Sequence, residues 1–216
     1  MASVPRDGLP EFWCTKIAKV LVGDQPCLLE PWLSGHYKLE KRKRDDSGFL
    51  VKWKADHSAL LQETTRLRAA DGWDCRVESF FKVKGQTAIL TGKTDLILQK
   101  ANFRPCIVDV KTGTPKDSDT AQVLIEMIAI PMAWESPSMI FNGEVVYVDH
   151  TVKLTPDQAE AIKPKVFALL KHLGMARRPD ASPSQGACRF CDVTDAECQQ
   201  RWKDEKESTV SETVLF

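Results

Sequence analysis

The hexapeptide Cys106–Lys111 constrains the fold more than any other part of the sequence. It reads Cys-Ile-Val-Asp-Val-Lys and lies between Arg104-Pro105 and the turn Thr112-Gly113-Thr114-Pro115. Its apolar, β-branched residues are typical of a central strand, which needs a neighbouring strand on each side. The chain is therefore expected to build a sheet around this segment. Because side chains two residues apart in a strand share a face, Asp109 and Lys111 are predicted to point the same way.

The flanking sequence predicts the other elements. Apolar residues recur at helical spacing from about Phe49 to Ala70, and Asp71-Gly72 closes that helix. The remaining expected elements, in chain order, are short strands over Val77–Val83, Thr87–Leu90 and Thr94–Leu98, with a turn at Lys84-Gly85-Gln86 after the first, a helix over about Asp119–Ala133 capped by Asp117, Ser118 or Asp119, a strand over Val145–Val148 and a helix over Thr155–Leu173. This order predicts an α/β (α+β) fold with a central mixed sheet flanked by helices.

Length and composition predict one domain of ordinary size. The chain has 216 residues, and 43% of them are hydrophobic, which is enough to bury a core. Its 30 Lys and Arg balance 30 Asp and Glu, so a polycationic protein is excluded. We expect a single domain over residues 1–202, with a core at about 49–174, a helical N-terminal part at 1–48, a cysteine segment at 183–202 and a flexible tail at 203–216. No apolar run is long enough for a membrane span and no signal peptide pattern opens the sequence, so we expect a cytoplasmic protein with no membrane partner.

A second acidic residue precedes the central strand. Asp95 follows Gly92-Lys93-Thr94 in the preceding β-like run, and it reaches the face of Asp109 and Lys111 if the two strands pair. Two carboxylates and an ammonium on one sheet face are costly in a core, but carboxylate oxygens suit a hard divalent cation. Lys111 would then orient or deprotonate a water for attack on phosphorus. The alternative from these residues alone is two ordinary strand-end aspartates with Lys111 as a surface partner.

The ordered motifs resemble a known family. Gly92–Ile97, Ile107–Gly113 and Ala121-Gln122-Val123, with a histidine in Trp53–Leu61, resemble the RecB-like branch of the PD-(D/E)xK nucleases and its CRISPR-associated RecB-type iron–sulfur exonucleases. The resemblance implies a restriction-endonuclease-like fold and Mg²⁺ or Mn²⁺ as cofactor. It implies that Lys111, Asp109, Asp95 and Gln122 are catalytic, and that His57, Asp95, Asp109 and the backbone carbonyl of Val110 hold the metal ion.

Three residues leave alternatives open. His57 lies beside Leu60 and Leu61 on the apolar face of its helix, so it also fits a core histidine. Glu126 stands where the family pattern Gln-x-x-x-Tyr has tyrosine, and it is either an extra metal ligand or a solvated helix residue. This departure puts full activity and substrate preference in question. Glu78 either points at the site or lies on the surface.

Three of the seven cysteines form a cluster. Cys188, Cys191 and Cys198 read C-x2-C-x6-C, which supplies three of the four ligands that zinc or an iron–sulfur cluster needs. The spacing alone fits either metal centre, or free thiols. The resemblance implies a [4Fe–4S] cluster with Cys27 as the fourth ligand, joining the N-terminal part to the cysteine segment. Cys14 is the rival for the fourth position.

These patterns predict a metal-dependent DNA exonuclease stabilised by an iron–sulfur cluster, with single-stranded DNA as the substrate that the resemblance implies. The alternatives are a catalytically weakened nuclease-fold subunit for DNA binding or for assembly with protein partners, and a zinc-stapled protein-interaction domain. The residues that could contact DNA are the basic side chains and the aromatic ones, although both sets also fit a solvated surface and a core. They are Lys38, Lys41, Arg42, Lys43, Arg44, Lys52 and Lys54, and Trp32, Trp53, Trp73 and Phe190.

Overall fold

A computed structural model describes residues 4–40, 47–189 and 191–202. The helices are α1 (Cys14–Val22), α2 (Leu29–His36), α3 (Ser47–Ala70), α4 (Asp117–Ala133), α5 (Pro156–Leu173) and α6 (Gln185–Arg189). The strands are β1 (Val4–Pro5), β2 (Glu11–Trp13), β3 (Tyr37–Lys38), β4 (Asp74–Lys84), β5 (Ile89–Gln99), β6 (Cys106–Lys111), β7 (Asn142–Tyr147) and β8 (Thr151–Leu154). No helix among these residues is both long enough and apolar enough to cross a membrane.

Six strands form the central sheet, in which β1 and β3 take no part because they pair only with each other. The pairs β2–β5 and β6–β7 are parallel, whereas β4–β5, β5–β6 and β7–β8 are antiparallel. The sheet is therefore mixed, as predicted. Strand β6 lies between β5 and β7, so the apolar hexapeptide is a central strand.

One edge of β5 is shared by two strands. Strand β4 pairs with β5 along its whole length, so it occupies the first edge. On the second edge, β2 pairs with Ile89–Thr91 and β6 pairs with Leu96–Leu98. The backbone between these two ladders, residues 92–95, has no strand beside it on that edge among the described residues. The sheet thus has a gap at Asp95, bordered by the end of β2 and the end of β6.

The side-chain alternation of β5 changes at the same level. Leu90 and Leu96 are six residues apart and should share a face, yet they belong to separate core clusters. On β4 the residue opposite Asp95 is Glu78, which lies between the pairs Val77–Leu96 and Ser79–Thr94. Its φ of 52° is uncommon for a residue other than glycine. This distortion of β4 lies beside Asp95, where the side chains of β5 change the face of the sheet to which they point.

Helices cover both faces of the sheet. Helix α4 packs on one face with α1 and α5 beyond it, and its residues share a core with Ile107. On the other face, Leu61 of α3 packs against Val108 and Val110. Because Ile107 alternates with Val108 and Val110 along β6, the two clusters lie on opposite sides. This arrangement confirms the predicted fold class of a central mixed sheet flanked by helices.

The predicted boundaries are mostly correct, with three differences. The runs Thr87–Leu90 and Thr94–Leu98 are predicted as separate strands, but Ile89–Leu90 and Thr94–Leu98 belong to one strand, β5, and Thr87 precedes it. Gly92 does not interrupt the strand because its missing side chain makes room for Phe81. The short strands β1, β2 and β3 and the strand β8 were not predicted, and β2 brings the N-terminal segment into the sheet. Helix α4 begins at Asp117, two residues before its predicted start, so its N-cap is Lys116 and none of the three predicted capping residues. Asp119 instead supports the helix start from its first turn, where its carboxylate accepts a hydrogen bond from the backbone N–H of Lys116 at 3.1 Å.

Candidate active site

The end of β6 carries a buried ion pair. Asp109 is almost fully buried, and its Oδ2 lies 2.6 Å from Nζ of Lys111. The two side chains share a face of the strand, as the period of two predicts. Burial raises the pKa of Asp109 to about 6, against the opposing effect of Lys111. The lysine therefore supplies the charge that allows a carboxylate at this depth.

Asp95 lies in the gap of the sheet and makes two contacts through one oxygen atom. Its Oδ2 accepts a hydrogen bond from the backbone N–H of Val110 at 2.9 Å and lies 3.2 Å from Nε2 of His57. The side chain replaces the strand partner that Val110 lacks here, because the β5–β6 ladder ends at Leu96–Val108. The hydrogen bond with Asp95 raises the pKa of His57. His57 is therefore paired with a carboxylate at the edge of the core, rather than buried among apolar residues.

Gln122 connects the carboxylates of the site. Its Nε2 donates to Asp109 Oδ1 at 2.9 Å and to Glu126 Oε1 at 3.0 Å. Its Oε1 accepts from Nζ of Lys111 at 3.3 Å and from the hydroxyl of Thr15 at 3.4 Å. All four contacts use the amide in one orientation, with nitrogen toward the carboxylates and oxygen toward the donors. The amide thus links both charged residues of β6 to α1 and α4.

Glu126 is fully buried one helical turn beyond Gln122. The interpretation as a solvated helix residue is wrong, because α4 is covered on every side at this level. Burial and the charge of Asp109 raise the pKa of Glu126 to about 8. The carboxyl group is thus part of the site, whereas the family pattern has a phenol at this position.

Two residues of α1 contact the site without having been predicted there. The thiol of Cys14 lies 3.8 Å from the backbone oxygen of Gln122, and Thr15 reaches the amide of the same residue. Burial raises the pKa of Cys14 well above its ordinary value, so it is an uncharged thiol packed beside the carboxylates. The pairing of the unpredicted strand β2 with β5 and the packing of α1 on α4 bring these residues near, and no spacing in the sequence indicates the contact.

The donor set fits a hard divalent cation in its chemistry. Glu126 Oε2 is buried and has no hydrogen-bond partner, and the contact of the buried Asp109 Oδ2 is its ion pair with Lys111. Such oxygen atoms are the ligands that Mg²⁺ and Mn²⁺ prefer. Across residues 4–40, 47–189 and 191–202, however, no three His, Cys, Asp or Glu side chains already converge as a coordination sphere. The carboxylates bind their protein partners instead.

Comparison with known proteins identifies the family of this chain. The family model of the PD-(D/E)XK nuclease superfamily matches residues 28–199, which include His57, Asp95, Asp109, Lys111 and Gln122. The chain belongs to the PD-(D/E)XK nuclease superfamily. No curated protein sequence matches it.

Two solved structures are similar to this superfamily member over most of their length. The crystal structure of SSO0001 has 11% sequence identity and a TM-score of 0.42, and the match covers 86% of this chain and 85% of that one. The alkaline exonuclease LHK-Exo from Laribacter hongkongensis has 10% identity and a TM-score of 0.41, with 76% of this chain and 88% of that one covered.

The other acidic residue considered from the sequence lies on the surface of the nuclease fold. Glu78 pairs with Lys93 through its Oε1 at 2.6 Å, and both side chains are exposed. It therefore does not point into the site formed by Asp95 and Asp109. Its backbone distortion, not its side chain, is the feature next to the site.

A second candidate site of this superfamily member is a pocket between its N-terminal and C-terminal segments. All seven cysteines are free, and four of them line this pocket: Cys27, Cys188, Cys191 and Cys198. Cys14, the rival for the fourth position, lies instead at the candidate active site, beside Gln122. The enclosed space is about 20 Å³, little more than one water-sized sphere. Within the described ranges the four thiols do not form a ready coordination group.

Backbone groups hold this pocket in place. The N–H of Ser182 donates to the sulfur of Cys27 at 3.5 Å, and the N–H of Trp202 donates to the sulfur of Cys188 at 3.4 Å. The guanidinium of Arg201 donates to the backbone oxygens of Cys188 and Val193. N–H groups directed at sulfur are common around thiolate ligands of metal centres. The pocket thus has polar support although no strand or long helix forms it.

The residues proposed from the sequence for DNA contact are dispersed. Trp32 is buried in the core, where its Nε1 donates to the oxygen of Met175 at 2.9 Å. Trp53 is exposed, and its ring centroid lies 5.3 Å from that of His57. Lys38, Lys52 and Lys54 are exposed. Lys41, Arg42, Lys43, Arg44 and Phe190 lie outside the described residues.

Proposed function

We propose that this chain is a divalent-metal-dependent exonuclease that hydrolyses the phosphodiester bonds of single-stranded DNA. The observation that supports it is the convergence of Asp95, Asp109, Lys111 and Gln122 at the gap in the sheet, in a member of a nuclease superfamily. The gap leaves the polar end of β6 without a covering strand, so a phosphodiester has a route to these side chains. The preference for single strands and for chain ends is a proposal that rests on the sequence resemblance.

The proposed roles of the site residues follow from their contacts. His57, Asp95, Asp109 and the carbonyl of Val110 are the proposed holders of Mg²⁺ or Mn²⁺. A bound cation of this kind acidifies water and offsets charge on phosphate oxygens. Lys111 contacts Asp109 and Gln122 with two of its donors, so one N–H remains for a water molecule or a phosphate oxygen. Gln122 fixes that ammonium because its oxygen atom accepts from it.

The test is cleavage of end-labelled single-stranded DNA by wild type and by Lys111→Ala, with Mn²⁺ or with EDTA. We expect release of nucleotides only from wild type with metal, and no cutting of a circular single strand of the same sequence. Lys163→Ala is the matched control, because this lysine only pairs with Glu160 on the surface of α5. Equal cutting by Lys111→Ala would overturn the mechanism, and cutting of the circle would overturn the exonuclease assignment.

A catalytically weakened binding or assembly subunit is the second candidate. The observation that favours it is Glu126, since a buried carboxyl group replaces the tyrosine of the family pattern and repels phosphate unless a cation intervenes. Such a protein would bind single-stranded DNA equally with EDTA and with Mn²⁺, and would cut neither substrate. Restoration of cutting by Glu126→Tyr would support this candidate.

We further propose that Cys27, Cys188, Cys191 and Cys198 hold a [4Fe–4S] cluster that joins the two ends of the chain. The shared pocket supports a four-thiol metal centre, and the sequence resemblance supports iron. Zinc is the alternative that the small volume of the pocket favours. We also propose a cytoplasmic location, because cysteines that form no disulfide bonds are typical of a reducing compartment.

Anaerobic purification followed by iron, sulfide and zinc determination tests this centre. We expect about four iron atoms per chain and visible absorbance, both lost in Cys191→Ser and retained in Cys75→Ser. Cys75 is a suitable control because it lies on β4, outside the pocket. One zinc atom without colour would identify the zinc-stapled form, and loss of metal in Cys75→Ser would contradict the ligand set.

A further inference from the structure

Two exposed aromatic side chains lie next to the gap in the sheet. Trp13, the last residue of β2, is 42% exposed, and Phe80 of β4 is 58% exposed. Their ring centroids are 6.2 Å apart with an interplanar angle of 41°. Neither ring is needed to fill the core, since both leave large apolar surfaces in contact with water. Exposed rings this close together form a small continuous apolar surface.

The strand register places this pair beside the candidate active site. Trp13 pairs with Thr91 and Phe80 pairs with Lys93, so both lie opposite β5 residues that shortly precede Asp95. Trp13 is also two residues from Thr15, whose hydroxyl contacts Gln122. Trp13, at the edge of the gap, is therefore close along the chain to a side chain that contacts the candidate active site.

The ring of Trp13 also lines a groove of about 500 Å³. Arg6, Lys16, Tyr37 and Lys38 line the same groove, together with Ser34, Leu39 and Thr91. Its two acidic residues are Glu11 and Asp192, and Glu11 pairs with Lys82 at 3.0 Å. Of the cationic residues, Lys16 pairs with Glu30. A groove with cationic side chains and an aromatic wall matches a strand that has phosphates on one side and bare bases on the other.

We propose that Trp13 and Phe80 form a stacking platform for unpaired bases of a nucleic-acid strand that lies in this groove and enters the site at the gap. The inference rests on the proposed nuclease function and adds the surface that holds the substrate. Paired bases would not present their faces to the rings, so the platform selects single strands. Stacking requires bases but not their edges, so the binding is independent of sequence.

The test compares two strands that differ only in their bases. Binding of labelled oligothymidine and of an abasic strand with the same number of phosphates is measured on Lys111→Ala protein with EDTA, so that no cleavage occurs. We expect oligothymidine to bind at least about fivefold more tightly, the effect of one stacked base. Trp13→Ala and Phe80→Ala should each reduce this preference, whereas Trp13→Phe should retain most of it.

Matched controls separate stacking from a general loss of binding. Phe103→Ala removes a side chain of the same 58% exposure, and Phe167→Ala removes one of 42% exposure on α5, away from the groove. Both should leave the preference unchanged. A preference that survives Trp13→Ala with Phe80→Ala, or that is lost equally in the controls, overturns the platform. Absence of any binding to oligothymidine overturns it as well.

The nuclease assignment fails independently of the platform. If wild type does not cut with Mn²⁺ while the base preference depends on Trp13 and Phe80, the platform stands and the enzyme assignment is overturned. If wild type cuts and the preference is absent, the enzyme assignment stands and the platform is overturned.

Discussion

The carboxylate of Glu126 accepts a hydrogen bond from the same amide nitrogen of Gln122 that donates to Asp109. Two buried acids therefore share one neutral donor, and the shared amide cannot turn over without facing its oxygen toward both of them. This relationship fixes the oxygen of Gln122 toward Lys111. Glu126 consequently acts on Lys111, the proposed catalytic lysine, through the amide, although no hydrogen bond joins Glu126 and Lys111 directly.

We predict that Gln122→Leu lowers the cleavage rate by roughly 100-fold, because loss of the amide frees the Lys111 ammonium from one of its two acceptors. The measurement is single-turnover cleavage at saturating metal. Since Gln122 acts through Lys111, its substitution should add little to the defect of Lys111→Ala in the double variant. Gln86→Ala, in an exposed turn, should retain the wild-type rate. Independent, multiplying effects of the two substitutions would rule out the positioning role.

We predict that Glu126→Gln makes the metal-free protein more stable at high pH. The pKa of Glu126 is about 8 in the folded protein, against the ordinary 4.5 expected when unfolded. Between these values the folded state holds the proton more tightly, so the contribution of Glu126 to stability is greatest below pH 4.5 and falls as pH rises toward 8. Asp109 contributes in the same direction up to about pH 6.

The measurement is urea unfolding with EDTA at several pH values. The glutamine variant should gain on the order of a few kcal/mol relative to wild type between pH 5 and pH 9. Glu160→Gln, at an exposed position of α5, should follow wild type at every pH. A constant difference between Glu126→Gln and wild type would show that Glu126 titrates normally.

We predict that Gly92→Ala destabilises the fold by about 1–3 kcal/mol. A Cβ atom at Gly92 would lie 2.3 Å from Cζ of Phe81 and 3.0 Å from Cβ of Cys14, so the side chain or the strand must move. Gly48→Ala, in α3 with no atom close to the new methyl group, should be neutral or stabilising. Thermal unfolding measures both. Phe81→Leu should recover part of the loss in the Gly92 variant, and its failure to do so would place the strain elsewhere.

Much of the fold follows from local sequence patterns. The hexapeptide at 106–111 and the long helices α3, α4 and α5 have strong periodicity, and each lies within a few residues of its predicted position. The strands β1, β2 and β3 have two or three residues each, too few for any period to stand out. Gly92 lies inside β5 although a glycine usually weakens a strand, because the neighbouring ring of Phe81 leaves no room for a side chain there.

Part of the candidate site also follows from local sequence patterns, and part of it does not. The face shared by Asp109 and Lys111 follows from the period of a strand, and the histidine and Gln122 follow from the ordered motifs. The burial of Glu126 could not be predicted, because whether a helix position is covered depends on α1 and α5, which pack over α4. The contributions of Thr15 and Trp13 depend on the register of β2 against β5, which involves residues nearly eighty positions apart.

Substitution can separate the contribution of Asp95 to stability from its proposed contribution to cleavage. Its carboxylate accepts the buried N–H of Val110 and raises the pKa of His57. Asp95→Ala leaves that N–H without a partner, so we expect a loss of about 1–3 kcal/mol of stability together with loss of cleavage. Asp95→Asn keeps an oxygen acceptor but not the charge, so it should retain most of the stability and still fail to cut.

In both variants the pKa of His57, measured by NMR titration, should fall toward 6.5. The stabilisation of charged His57 by Asp95 is present below that value and is lost as pH rises through the higher pKa of the folded wild type, so the stability gap between wild type and Asp95→Asn should narrow on going from pH 5 to pH 9. Normal cleavage by Asp95→Asn would limit this aspartate to a structural role.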